Sequence, residues 1–171
     1  CQATVTARTA RRASPGILAV LTNPSALNAF LSGLPGLNRT MDSFTPDTHP
    51  IPLSIPCAQG PAHARLHGEL ALLPEAPGLV VLAYAATALD ERERVIAGIL
   101  RHAGLSTLLI NLVAREEEHY PDVHNNVPLL AHRLVDVLDL IKHRMLMGEL
   151  PPQPLGLCAA NASSPVVVRV A

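Results

Sequence analysis

LGLCAANASSPVVVRVA, residues 155–171, decides how the rest of the chain is read. An apolar run enters a cluster of small residues and leaves as a second apolar run, as a buried strand does when it turns sharply into a helix. Such a turn presents one side chain at its tip, and the spacing puts Asn161 there. Ser163 and Ser164 fit as caps of the following helix, with Pro165 at its first position. A turn of this shape needs a sheet behind it.

The preceding sequence supplies that sheet. IPLSI (51–55) and ARLHGELALL (64–73) flank a turn cluster and read as a hairpin, the second arm alternating apolar with polar. GLVVLAYA (78–85) and LSTLLINLV (105–113) are continuously apolar, as strands buried on both faces are. Between them, LDERERVIAGILRHAG (89–104) places Val95, Ile96, Ile99 and Leu100 on one helical stripe, with acidic residues at its start and Gly104 as its stop. VPLLAHRLVDVLDLIKHRML (127–146) is a long amphipathic helix whose core side is Leu130, Leu134, Val137, Leu138 and Ile141. This alternation predicts an α/β domain over residues 49–171, with a doubly wound, mostly parallel sheet that starts with an antiparallel hairpin. Residues 1–48, with short apolar pieces and several prolines, read as an N-terminal extension or arm laid across a neighbouring surface.

Composition excludes several functions. At 171 residues with 49% hydrophobic content, the chain can bury one core. A formal charge of -1 and an aromatic content of 2% leave neither a basic surface for a phosphate backbone nor rings for base stacking, so nucleic acid is not an expected partner. No apolar run reaches the length of a membrane-spanning helix. Cys1, Cys57 and Cys158 are too few and too scattered for a disulfide framework or a zinc site. No cofactor and no metal are expected.

The beginning of the chain carries three readings. The stretch from Cys1 to Met41 lacks acidic residues and holds Arg8, Arg11, Arg12 and Arg39, as the tail of a mitochondrial or plastid transit peptide does. Cys1 also matches the first residue of a mature bacterial lipoprotein, which would give a lipid-anchored or peripheral membrane association beside a bacterial cytoplasmic location. The third reading is simply where the recovered sequence starts.

Across residues 51–164 the sequence resembles the dienelactone hydrolase-like branch of the α/β-hydrolase superfamily. The resemblance rests on APGLVVLAYA, GLSTLLINLVAREEE, VPLLAHRLVDVLDLIKH and PLGLCAANAS in that order. It implies a catalytic elbow of the form G-x-S-x-G after the fifth strand and an oxyanion loop of the form H-G-x-G after the third. Both are degenerate here. Ala159, Ala160, Asn161, Ala162 and Ser163 stand for the elbow, so a carboxamide replaces the nucleophile and both glycines are gone. Tyr84, Ala85 and Ala86 occupy the oxyanion loop. The Asp or Glu and the His of the triad come later in this fold, so the resemblance also implies a partial fold that lacks its C-terminal strands.

Other residues could rescue chemistry. Gly156-Leu157-Cys158-Ala159-Ala160 resembles the G-x-C-x-G of true dienelactone hydrolases, which makes Cys158 an alternative nucleophile; as a plain core residue it is a buried, inert thiol. His119 and His124, close to Glu116, Glu117, Glu118 and Asp122, could hold a metal or simply be solvated loop side chains. His132 and His143 fall on the solvent face of the long helix. Two sequons, at Asn38 and Asn161, read as accidental.

Two functions follow. One is a non-catalytic structural or docking subunit of a larger protein assembly or homo-oligomer. The other is a thiol hydrolase of small esters or lactones using Cys158 and completed by a partner chain. The family's strand order leaves the fifth strand as an apolar edge, so Leu155, Leu157, Val166 and Val168 are expected at a partner surface.

Overall fold

The computed structural model describes residues 17–21, 49–57, 64–86, 91–159 and 164–170. The strands are β1 (Ile17–Leu21), β2 (Ile51–Pro56), β3 (Arg65–Ala71), β4 (Leu79–Tyr84), β5 (Ser106–Asn111) and β6 (Leu155–Ala159). The helices are α1 (Glu91–His102), α2 (Pro121–His124), α3 (Val127–Leu146) and α4 (Ser164–Val170), with a 3₁₀ turn at Arg115–Glu117. The strands form one six-stranded sheet in the order β1-β6-β4-β5-β3-β2. β3 runs antiparallel to both its neighbours, and the remaining pairs are parallel. The strands β2, β3, β5, β4 and β6 reproduce the expected order of a partial α/β-hydrolase sheet.

Alternation along the strands builds two cores. Leu79, Val81, Ala83, Leu108, Ile110, Leu155 and Leu157 point to the face covered by α3 and α4. The intervening residues Val80, Leu82, Tyr84, Leu109 and Cys158 point to the face covered by Ala97 and Leu100 of α1. Moving from β4 to β5 goes one way along the sheet and from β5 to β6 the other way. With the connecting helices on opposite faces, both crossovers have one hand.

Local sequence explains the elements. All five predicted core positions of α3 are buried, its N-cap Asn126 accepts a hydrogen bond from Leu129 N–H at 3.1 Å, and Pro128 lies in its first turn. His132 and His143 are exposed, as the helical spacing predicts. Gly104 ends the α1 segment at φ 82°, a conformation that glycine adopts without steric cost. At Gly68 a Cβ would meet Leu109 O at 2.5 Å, so glycine is what lets β3 lie this close to β5.

Two expectations change. The buried stripe of α1 is Ala97 and Leu100 flanked by half-buried Ile96, whereas Val95 and Ile99 are 55% and 47% exposed. An apolar stripe on a short helix leaves its facing direction open by one position, and the sheet face below selects it. Residues 166–170 are helical as the reading of the turn expected, with Val166 and Val167 buried against the α3 face. Second, β6 is not an open edge. Ile17, Val20 and Leu21 of β1 pair in parallel with Leu155, Leu157 and Cys158, so part of the segment read as an arm becomes the outer strand of the sheet. Leu155, Leu157 and Val166, expected at a partner surface, are therefore interior, and only Val168 remains outside, 64% exposed.

Candidate functional site

In a doubly wound sheet, ligands bind beyond the carboxyl ends of the parallel strands, where neighbouring strands send their connections to opposite faces. Here that place lies between β4, which leads towards α1, and β6, which leads to α4. Ala83 pairs with Ala159, so β4 and β6 end side by side. The elbow tip Asn161, together with Ala160, Ala162 and Ser163, lies outside the described residues, as do Cys1 and the sequon at Asn38.

Tyr84, Ala85 and Ala86 are described. Tyr84 ends β4 with its ring in the α1-side core and only 9% of its surface exposed. Burial pushes its phenol up to about 12, with the carboxylates of Glu69 and Glu93 adding to the shift and Arg94 opposing it. The phenol is therefore protonated at neutral pH. Asn111, the register partner of Tyr84 on β5, holds the loop beyond it: its Nδ2 donates to Ala86 O at 2.9 Å and its Oδ1 accepts from Val113 N–H at 3.1 Å. Leu112 N–H donates to Tyr84 O at 2.8 Å, which closes the same junction. Sequence reading missed Asn111; the available signal was a carboxamide ending an otherwise apolar strand.

Cys158 lies inside β6 and faces the α1-side core at 6% exposure. Desolvation alone pushes its thiol up to about 11, so at neutral pH it is a thiol and not the thiolate that nucleophilic attack requires. Cys57, after β2, is half-buried; burial raises its thiol, while Arg133 pulls the other way.

Within the acidic run after β5, Glu117 serves packing. Glu117 turns inward to Arg133 of α3, with N–O contacts of 2.8 and 2.7 Å, and Arg133 Nη1 donates to Leu112 O at 2.9 Å. His124 Nε2 lies 3.3 Å from Glu118 O, and the His119 ring rests on Tyr120 with centroids 4.1 Å apart. Among the described residues no three His, Cys, Asp or Glu side chains gather as a metal site, and no helix is long and apolar enough to cross a membrane.

A cleft of about 310 Å³ opens beside Tyr84 and Asn111, on the side of β5, β3 and β2 away from β6. His67, Glu69, Arg94, Arg115 and Glu118 bring charge and polarity to it. Arg94 and Glu69 already pair across it at 3.3 Å. That pair is largely exposed, so it contributes little to stability.

No family model matches the sequence, and no curated protein matches it. Among solved structures, the chain is similar to a dienelactone hydrolase from Anabaena variabilis, at 28% identity with a TM-score of 0.58 over 67% of this chain and 52% of that one. Est1E from Butyrivibrio proteoclasticus aligns over 67% of this chain and 41% of its own, at 16% identity and a TM-score of 0.45. The chain thus spans about half the length of the dienelactone hydrolase it matches. That likeness and the strand order β2-β3-β5-β4-β6 show a partial α/β-hydrolase fold, similar to that of the dienelactone hydrolase, over 67% of this chain.

Proposed function

We propose that this chain is a non-catalytic α/β-hydrolase-like subunit that serves a structural or docking role in a protein assembly. The observation that carries the reading is the state of Cys158. It directly precedes the elbow in sequence, and it is packed inside β6 with its thiol pushed up to about 11 by desolvation. The sequence supports the same conclusion independently: the elbow tip is Asn161, whose carboxamide cannot form an acyl intermediate, and Tyr84-Ala85-Ala86 supplies no glycine for a backbone oxyanion site. Hydrolysis through Cys158, the alternative, would need that thiol to leave the sheet face and lose its proton. Docking would use apolar side chains left at the surface, such as Val95 and Ile99 of α1 and Val168 of α4. A second copy or another protein is the partner class.

The test is turnover of a chromogenic ester and of a small unsaturated lactone by the purified chain. Rates should match a buffer control, and the Cys158→Ser variant should behave as the parent does. Turnover above the control that disappears in Cys158→Ser would replace this reading with the thiol hydrolase.

A further inference from the structure

We propose that the cleft at the carboxyl ends of β4 and β5 binds a small zwitterion of the α-amino acid class with an apolar side chain. Three polar side chains line this space of about 310 Å³ without a hydrogen bond or ion pair to any described residue: the guanidinium of Arg115, the carboxylate of Glu118 and the hydroxyl of Tyr84. Arg94 and Glu69 pair at 3.3 Å, so among the described lining residues the charges without an ion pair are Arg115 and Glu118. A purely anionic ligand would answer Arg115 and face Glu118, and a purely cationic one would do the reverse. An amino acid answers both: its carboxylate accepts two N–H bonds from the Arg115 fork, and its ammonium donates to Glu118. The protonated Tyr84 hydroxyl can donate to the carboxylate or accept from the ammonium. Leu53, Leu109 and Val113 line the same cleft and offer apolar surface to the side chain. Polar side chains make up the larger part of the lining, which suits a ligand that carries charge at one end and an apolar side chain at the other.

Among the described residues the lining takes none from β6, and the two charges on which the inference rests, Arg115 and Glu118, have no part in the catalytic reading. The experiment is calorimetric titration of the purified chain with L-leucine, N-acetyl-L-leucine and L-leucinamide, each of the last two lacking one charge. L-Leucine should bind saturably, and each blocked analogue should bind at least about tenfold more weakly, since each loses a charge-assisted contact. Arg115→Gln and Glu118→Gln, both changes outside the core, should weaken L-leucine to a similar degree, and Tyr84→Phe should weaken it severalfold. No binding of L-leucine, or equal binding of the three ligands by the parent protein, overturns the proposal whatever the variants do. Binding that survives Arg115→Gln or Glu118→Gln unchanged overturns it as well.

Discussion

Arg133 Nη2 sits between the two carboxylate oxygens of Glu117, 2.8 Å from Oε1 and 2.7 Å from Oε2, with both side chains inside the protein. The pair ties the 3₁₀ turn after β5 to the middle of α3, and the bond from Arg133 to Leu112 O fastens the strand end to the same point. Glu117→Ala should cost about 3–5 kcal/mol, because it takes the carboxylate away from a buried guanidinium. Replacing both by apolar residues, Glu117→Leu with Arg133→Met, should cost much less than that. Urea melts of the two variants check this; equal destabilisation would mean that charge pairing is not what the site supplies.

What the sequence revealed followed its periodicity. The continuous apolar runs of β4 and β5 and the heptad-like stripe of α3 are signals repeated over many residues, so single exceptions do not hide them. The Arg133–Glu117 pair was missed because Glu117 lies in a run of three glutamates that reads as solvated. Yet Arg133 falls three residues after Leu130 and four before Val137, on the buried stripe, and that position was the available clue. β1 was missed for another reason: its partner β6 lies far away in sequence, and a five-residue apolar run does not specify which edge it joins. Tyr84 was read as part of the loop after β4; the fold makes it the last residue of that strand and puts its ring on the α1 face.

Cys158 makes the fold sensitive to base. Its thiol is raised from 9.0 to about 11 in the folded state, so between those values the unfolded chain has lost the proton and the folded chain retains it. The unfolded state binds fewer protons there, and stability falls as pH rises. Tyr84, raised from 10.0 to about 12, continues the decline at higher pH. Chemical denaturation from pH 8 to pH 11 should show falling stability, and Cys158→Ala should flatten the first part of the curve. A native thiol that reacts with iodoacetamide at pH 8 as fast as the unfolded chain would contradict the burial on which this rests.

Asn111 should matter more than its place at a strand end suggests. Its carboxamide satisfies Ala86 O and Val113 N–H at once, and an aspartate could accept from Val113 but could not donate to Ala86. Asn111→Asp should therefore destabilise by about 1–3 kcal/mol, with a smaller effect on the Val113 amide than on the loop after β4. Amide exchange of Val113 separates the two halves: Asn111→Ala should accelerate it, whereas Asn111→Asp should leave it slow. Acceleration in both would show that the loop and the amide are not held separately.

The last test concerns the outer strand. β6 is uncharged and buried along its length, and its two sides are matched by β4 and β1. Without β1, its outward N–H and C=O groups would form an apolar edge with no charge or proline to discourage pairing with another chain. The opposite edge differs, because β2 carries Pro52 and Pro56 and interrupts its own outward ladder. Removing residues 1–21 should therefore leave the β2–β3 hairpin intact and affect the β6 side alone. Exchange of the Leu155–Ala159 amides should accelerate at least about tenfold, since their opening would no longer require detachment of a neighbouring strand. The shortened chain should also self-associate at concentrations where the full chain does not, which light scattering reads directly. Unchanged exchange in a monomeric shortened chain would mean that β1 does not protect this edge.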